Sequence, residues 1–292
     1  MMDLKNAQIM TAMVTPFTQD GSQVSVQRLE KLIEHLLQTG TQAILACGTT
    51  GEAPTLTVAE KFTVIRECAR IIDKRVPLIV GTGSNNTAQT IEYTNQVAQI
   101  PGVDAALVVV PYYNKPNQAG MLAHFTAVAD ATKLPILIYN IPGRTGVTME
   151  VETISQLAKH PNIIGIKDCT GNVNLAKIIA QTPADFLVYT GEDENTLVAK
   201  TLGATGVISV ASHIYGQEMQ QMYQAIDQGN VKKAATLMCD LTPKVEALFS
   251  LPSPGPIKAA LNHQGIQVGG LRLPLLALDE KQEVALFKQL EI

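Results

Sequence analysis

The stretch NIIGIKD (residues 162–168) is apolar without alternation until its last two residues. That pattern belongs to a parallel strand covered on both faces. The strand ends in Lys167 and Asp168. A cation at the end of a buried strand is unusual, because desolvation is costly for an ammonium and favours loss of its proton. A neutral lysine amine is a nucleophile that forms Schiff bases with ketones and aldehydes. The plainer alternative is a lysine whose head reaches solvent just past the strand.

Seven further runs of the same kind flank it: residues 8–14, 43–47, 77–81, 105–110, 135–140, 186–190 and 206–210. Amphipathic helical runs lie between them. One, near Ser25 to Thr39, puts Leu29, Leu32, Ile33, Leu36 and Leu37 on one face and stops at Gly40, a favoured residue just past a helix end. Thr57 and Glu60 have the spacing of a capping box for a helix to about Asp73. Thr87 is expected to cap the next, and further helices are expected near 118–132, 149–159, 172–181, 193–202 and 212–227.

Eight strand-then-helix units, about 25–35 residues apart, match a (β/α)8 TIM barrel. The rival is an open doubly wound sheet, which would be expected to place a glycine fingerprint after its first strand. Here TPFTQDG follows the first strand, and GTGSNN (81–86) lacks the third glycine. The pattern changes after residue 228. Residues 1–228 therefore read as the barrel and 229–292 as a C-terminal extension of three helices: 231–249 (broken near Pro243), 255–263 and 279–290. The extension is too short to hold a core alone and is expected to pack on the barrel or on a neighbouring subunit.

Composition narrows the class. The chain has 292 residues, 46% hydrophobic and 16% charged, with a net charge of −4, a globular composition without the basic surplus of a nucleic-acid or membrane-surface binder. The start has no basic-then-apolar segment and no run is long enough to span a bilayer. Cys47, Cys68, Cys169 and Cys239 are scattered, which suggests reduced thiols in a cytoplasmic protein. His35, His124, His160, His213 and His263 fall on helices or loops, so neither a metal site nor a histidine base is expected. Proton transfer then falls to tyrosine and lysine.

In barrels of this kind chemistry sits at the C-terminal strand ends. There the chain carries CGTTGE (47–52), PYYNKP (111–116), YNIPGRTG (139–146), KD (167–168) and GED (191–193), with Ile208 and Ser209 in strand eight. Thr49 and Thr50 have hydroxyl and backbone donors for a carboxylate, or form an ordinary glycine-flanked turn. Tyr112, Tyr113 and Tyr139 all fall on this face, and each could equally be core packing with a satisfied hydroxyl. Arg144 has the fork for a carboxylate, or is a surface arginine.

GTTGE, PYYNKP, YNIPGRTG and GIKD, in this order and at these separations, resemble the class I pyruvate-dependent lyases and aldolases, and within them the dihydrodipicolinate synthase family. The resemblance covers essentially the whole chain. It implies that Lys167 condenses with the ketone of pyruvate, and that Thr50, with the backbone N–H groups of Thr49 and Thr50, holds the pyruvate carboxylate. It makes Tyr139 the general acid/base, relayed through Thr49 to Tyr113 supplied by the adjacent subunit. Arg144 would hold the carboxylate of L-aspartate-4-semialdehyde, and Gly191 and Ile208 would line the pyruvate site. No metal or cofactor is implied, and the usual assembly is a homotetramer of tight dimers.

Related readings compete. N-acetylneuraminate lyase shares the lysine and tyrosine but usually lacks the arginine. Keto-deoxy sugar-acid aldolases are also near. A pyridoxal-phosphate barrel would need a phosphate cup, which GEDENT and GATGVISV do not obviously form. A non-catalytic paralogue would be expected to have lost part of the set. Many family members are inhibited by L-lysine, through a glutamate and a histidine. The matching positions here are Gln89 and Val58, with Lys61 at a second histidine position, while Tyr112 and Asn85 are retained. Weak or absent feedback inhibition is expected.

Overall fold

The computed structural model describes Met2 and residues 4–292. Eight strands, β1 (Ile9–Ala12), β2 (Ala43–Ala46), β3 (Leu78–Gly81), β4 (Ala105–Val109), β5 (Ile136–Asn140), β6 (Ile163–Asp168), β7 (Leu187–Thr190) and β8 (Gly206–Ser209), close in chain order into a barrel. The recorded strand pairings are parallel. Every residue of β1, β2, β5, β7 and β8 is buried, as expected of strands with helices outside and packed side chains inside. The fold is the (β/α)8 barrel with C-terminal helices that the strand spacing predicts.

Chain contacts divide the molecule into two compact units. The first runs to Gln8 and resumes over Pro77–Ile208. It holds β3 to β7, most of β8, and the helices α3 (Thr87–Val97), α4 (Gln118–Ala131), α5 (Pro142–Thr145), α6 (Val151–Leu157), α7 (Asn172–Gln181) and α8 (Thr196–Thr201). Register within it sets Tyr139 beside Lys167 and Asn140 beside Asp168 across β5 and β6. Lys167 and Asp168 pair in turn with Tyr189 and Thr190 of β7. One expectation is corrected here. Asn86, not Thr87, caps α3, its side chain accepting from the Gln89 N–H, while the Thr87 hydroxyl meets His124 Nδ1 at 2.9 Å. The segment after β5 contains the short helix α5, opened by Pro142 with its preset φ and ended by left-handed Gly146.

The second unit comprises Ile9–Val76 and Ser209–Ile292. It contains α1 (Val26–Gln38), α2 (Val58–Ile72), α9 (Ser212–Asp227), α10 (Val231–Phe249), α11 (Gly255–His263) and α12 (Glu280–Leu290). Leu29, Leu32, Ile33 and Leu36 form the buried stripe of α1. The Thr57–Glu60 capping box is made in both directions, and Asp279 with Gln282 makes a second at α12. The expected break at Pro243 does not occur: α10 is continuous through it. Proline removes one helical N–H and costs ~3 kcal/mol in a helix interior. Leu241, Val245 and Leu248 are buried on either side of it, and their burial offsets that cost at about 1.5–3 kcal/mol each.

His213 ties this unit together. Its Nδ1 lies 2.8 Å from the Val210 carbonyl and its Nε2 accepts from the Val14 N–H at 3.1 Å. The ring is therefore neutral with its proton on Nδ1, and burial pushes its pKa down to about 4. Burial holds His124 at about 4 as well. Both rings bind a proton more readily in the unfolded chain, so their contribution to stability is complete above the ordinary value of 6.5 and is lost as pH falls toward 4. Each supplies a slope of at most ~1.4 kcal/mol per pH unit. Urea unfolding at about pH 7 and about pH 5 should show the loss, and His213→Gln, which retains an acceptor for Val14, should flatten it by about 2 kcal/mol over that interval. An unchanged slope would remove His213 from this role.

Candidate active site

In the first unit, Lys167 leaves the penultimate position of β6 and is 6% exposed. Its Nζ lies 4.4 Å from the centroid of the Tyr139 ring. Among the described residues no carboxylate forms an ion pair with it. A buried lysine amine without a carboxylate partner is the candidate nucleophile of this site. Gly191 makes room for it. A Cβ there would fall 2.5 Å from Lys167 Cε and 2.4 Å from Cys169 Sγ. Burial pushes the Cys169 thiol up to about 12, against the opposing pull of Lys167, so the thiol stays protonated beside the amine.

The next residue, Asp168, organises the segment after β5. Its carboxylate accepts from Asn140 Nδ2 (2.9 Å), from the Thr170 N–H (3.0 Å) and from the Thr170 hydroxyl (2.5 Å). Burial raises its pKa and these bonds oppose the rise. The Asn140 amide also exchanges hydrogen bonds with both backbone groups of Met149. The chain between, with α5 and Arg144, is thus anchored at each end. Thr145 closes it internally through bonds to the Ile141 and Val147 carbonyls. Arg144 is exposed and has no ion pair among the described residues, which leaves its fork open to a carboxylate.

Tyr113 follows β4 in the left-handed region (φ 72°) and is 86% exposed. Asn114 fixes that loop by donating to the Asn85 carbonyl. Gln89 lies in the exposed first turn of α3. Ile208 is buried within β8.

In the second unit the turn after β2 is held in an unusual shape. Cys47 and Glu52 both adopt positive φ (54° and 53°), a costly conformation for a residue with a side chain. The Glu52 N–H donates to the Thr49 carbonyl at 3.1 Å, and the Thr15 hydroxyl donates to the Gly51 carbonyl at 2.6 Å. Thr50 is buried and Thr49 exposed. Glu52 is 2% exposed. Its Oε1 lies 2.5 Å from Lys258 Nζ, an ion-pair contact off the hydrogen-bond direction, and its Oε2 accepts from the Arg272 N–H at 3.1 Å. Burial pulls the Lys258 ammonium down to about 8, with Glu52 opposing the fall. Val58 is exposed at the start of α2.

Sequence reasoning assigned no role to Asn140, Asp168, Glu52, Lys258 or Arg272. The first three sit inside quoted motifs, where charge and amide chemistry next to apolar strands was the available signal. Lys258 and Arg272 lie far along the chain in the helical extension, and nothing local marks them.

A closed eight-stranded barrel with a buried, unpaired lysine at the end of its sixth strand places the protein among the class I barrel lyases. The sequence model of the Dihydrodipicolinate synthetase family matches residues 5–292, and the chain belongs to that family. A 4-hydroxy-tetrahydrodipicolinate synthase of Ligilactobacillus salivarius is 62% identical over 291 residues, covering 100% of each chain. A crystal structure of a dihydrodipicolinate synthase from Bacillus anthracis superposes with a TM-score of 0.96 at 46% identity, covering 100% of this chain and 99% of that one. A dihydrodipicolinate synthase from Cyanidioschyzon merolae, solved with lysine bound, superposes with a TM-score of 0.94 at 41% identity, covering 98% of each chain.

Proposed function

We infer that the protein is a lyase that condenses pyruvate with L-aspartate-4-semialdehyde to 4-hydroxy-tetrahydrodipicolinate, in the diaminopimelate route to lysine. Its full-length relatives at 50–62% identity carry that activity in their names. The observation that carries the chemistry is Lys167, buried, without a counter-ion and facing the Tyr139 ring.

The Lys167 amine adds to the pyruvate ketone, and Tyr139 returns the proton needed to expel water and leave an iminium. Loss of a methyl proton gives the enamine, whose carbon attacks the aldehyde. The amine of the semialdehyde then displaces Lys167 as the ring closes. Two anionic substrates need two carboxylate sites. We assign the Thr49–Thr50 turn to pyruvate and Arg144 to the semialdehyde. Gly191 and Ile208 line the pyruvate side.

We assign Tyr113 to the proton relay of an adjacent subunit, through Thr49. Its support is an exposed aromatic ring on strained backbone, a conformation retained where a function uses it. That makes a tight dimer the minimal active form and a homotetramer the proposed assembly. No described helix is long and apolar enough to cross a membrane. Free cysteines favour a reducing, cytoplasmic setting.

The test is a reductase-coupled NADPH assay with pyruvate and L-aspartate-4-semialdehyde. Turnover is expected. Cleavage of N-acetylneuraminate or a keto-deoxy sugar acid without it would overturn the assignment. In the same assay L-lysine should inhibit weakly or not at all, because Gln89 has no carboxylate for the inhibitor's ammonium and Val58 has no imidazole. Half-inhibition at sub-millimolar lysine would contradict this.

A further inference from the structure

We propose that the buried Glu52–Lys258 ion pair, with Arg272, is a clamp through which the C-terminal helical extension positions the Thr49–Thr50 turn and so sets the affinity for pyruvate. This rests on the reading of that turn as the pyruvate carboxylate site. Glu52 is the last residue of GTTGE and closes the turn through its own N–H. Among the described residues its carboxylate is held from the extension: by Lys258 of α11 and by the backbone of Arg272.

The clamp is braced on its far side. Lys258 Nζ donates to the Gly270 carbonyl at 2.8 Å. Asn262, also on α11, accepts from the Val268 and Gly269 N–H groups and donates to the Gly269 carbonyl. The Arg272 guanidinium bonds both oxygens of Glu60 at 2.9 and 2.6 Å and the carbonyls of Gly21, Ser22 and Thr55. Lys258 Nζ and Arg272 Cζ lie 4.2 and 4.4 Å from the centroid of the Phe17 ring. The loop 47–56 is therefore tied to residues 258–272 at its middle, by Glu52, and at its C-terminal end, where Arg272 bonds Thr55 and the adjoining Glu60.

Stability alone is a poor reason for this arrangement. Two buried ions each forfeit hydration, and an apolar pair of similar volume is often as stable or more so. What an apolar pair lacks is direction. Paired on one oxygen and hydrogen-bonded on the other, Glu52 is held in its left-handed conformation, and with it the neighbouring donors of Thr49 and Thr50. Preorganised donors bind an anion without first paying to be ordered.

The experiment uses the full chain with Lys258→Met, Glu52→Gln and the double variant Glu52→Leu/Lys258→Met. The coupled assay should show the KM for pyruvate raised at least ~10-fold in each, with the KM for the semialdehyde changed less than ~3-fold. Lys258→Arg should recover part of the loss. Deuterium exchange over residues 47–56 should rise in Lys258→Met. If the single variants fail to fold, the double variant, which leaves no unpaired charge, decides. A folded double variant with wild-type pyruvate KM overturns the proposal, as does equal weakening of both substrates. Exchange is independent of substrate: if the wild type failed to use pyruvate, the proposed function would fall, and unchanged exchange over 47–56 would still overturn the clamp.

Discussion

Lys167→Ala is expected to lose covalent capture of pyruvate altogether. With pyruvate and borohydride, the wild type should gain the mass of one reduced adduct, located by peptide mapping to Lys167, and the variant should gain none. Turnover should fall by ~10³-fold or more, the scale seen when a covalent nucleophile is removed. The choice of lysine follows from its surroundings. Among the described residues two lysines are buried, Lys167 and Lys258. Lys258 is engaged by Glu52 and by the Gly270 carbonyl, so its amine is not free to attack. Lys167 faces the Tyr139 ring and forms no ion pair among the described residues. An adduct of equal yield in Lys167→Ala would transfer the chemistry elsewhere.

Gly191→Ala should be nearly as damaging, although it adds a single methyl group. The backbone at Gly191 is outside the left-handed region, so an alanine suffers no conformational strain there. Its cost is steric. The new Cβ would sit 2.5 Å from Lys167 Cε, 3.1 Å from Lys167 Cγ and 2.4 Å from Cys169 Sγ. Overpacking of a closed site typically costs about 1–3 kcal/mol of stability. The larger effect is on rate, since moving a reacting group by ~1 Å can cost ~10²-fold. Steady-state kinetics should show kcat reduced by ~10²-fold in a folded protein, with slower borohydride trapping. Adding Cys169→Ala should restore stability more than rate, because it relieves the sulfur contact and leaves the Lys167 contact in place. Wild-type kcat in Gly191→Ala would show that the lysine has room to move.

The barrel and several helix ends were readable because the forces that build them are local or periodic. Strands buried on both faces leave uninterrupted apolar runs, and all eight were found within a few residues of their observed limits. The Thr57–Glu60 box is a contact of residues three apart. Misreadings came where a distant partner outweighed a local preference. Pro243 is a helix breaker by itself, yet buried leucines and a valine on both sides keep α10 whole. Thr87 is a good cap by type, but its hydroxyl is drawn to His124 and Asn86 takes the position.

The candidate site divides in the same way. Candidate reactive residues stand out through chemistry that is odd for its setting, and Lys167 at the end of NIIGIKD is the plainest instance. Their supports do not. Asn140 and Asp168 meet because β5 and β6 are in register, and Lys258 reaches Glu52 across 206 positions of chain. Taken alone, the sequence determined the strand count and the order of the motifs, since these depend on apolar periodicity, and it singled out Lys167 as the nucleophile we propose. The tertiary structure decided what holds those groups in place: the glycine corridor beside Lys167, the amide–carboxylate anchor of the Arg144 segment and the ion pair under the threonine turn. Each is a contact between residues far apart in the chain, and hydrophobic pattern carries no information about which buried polar group will find which partner.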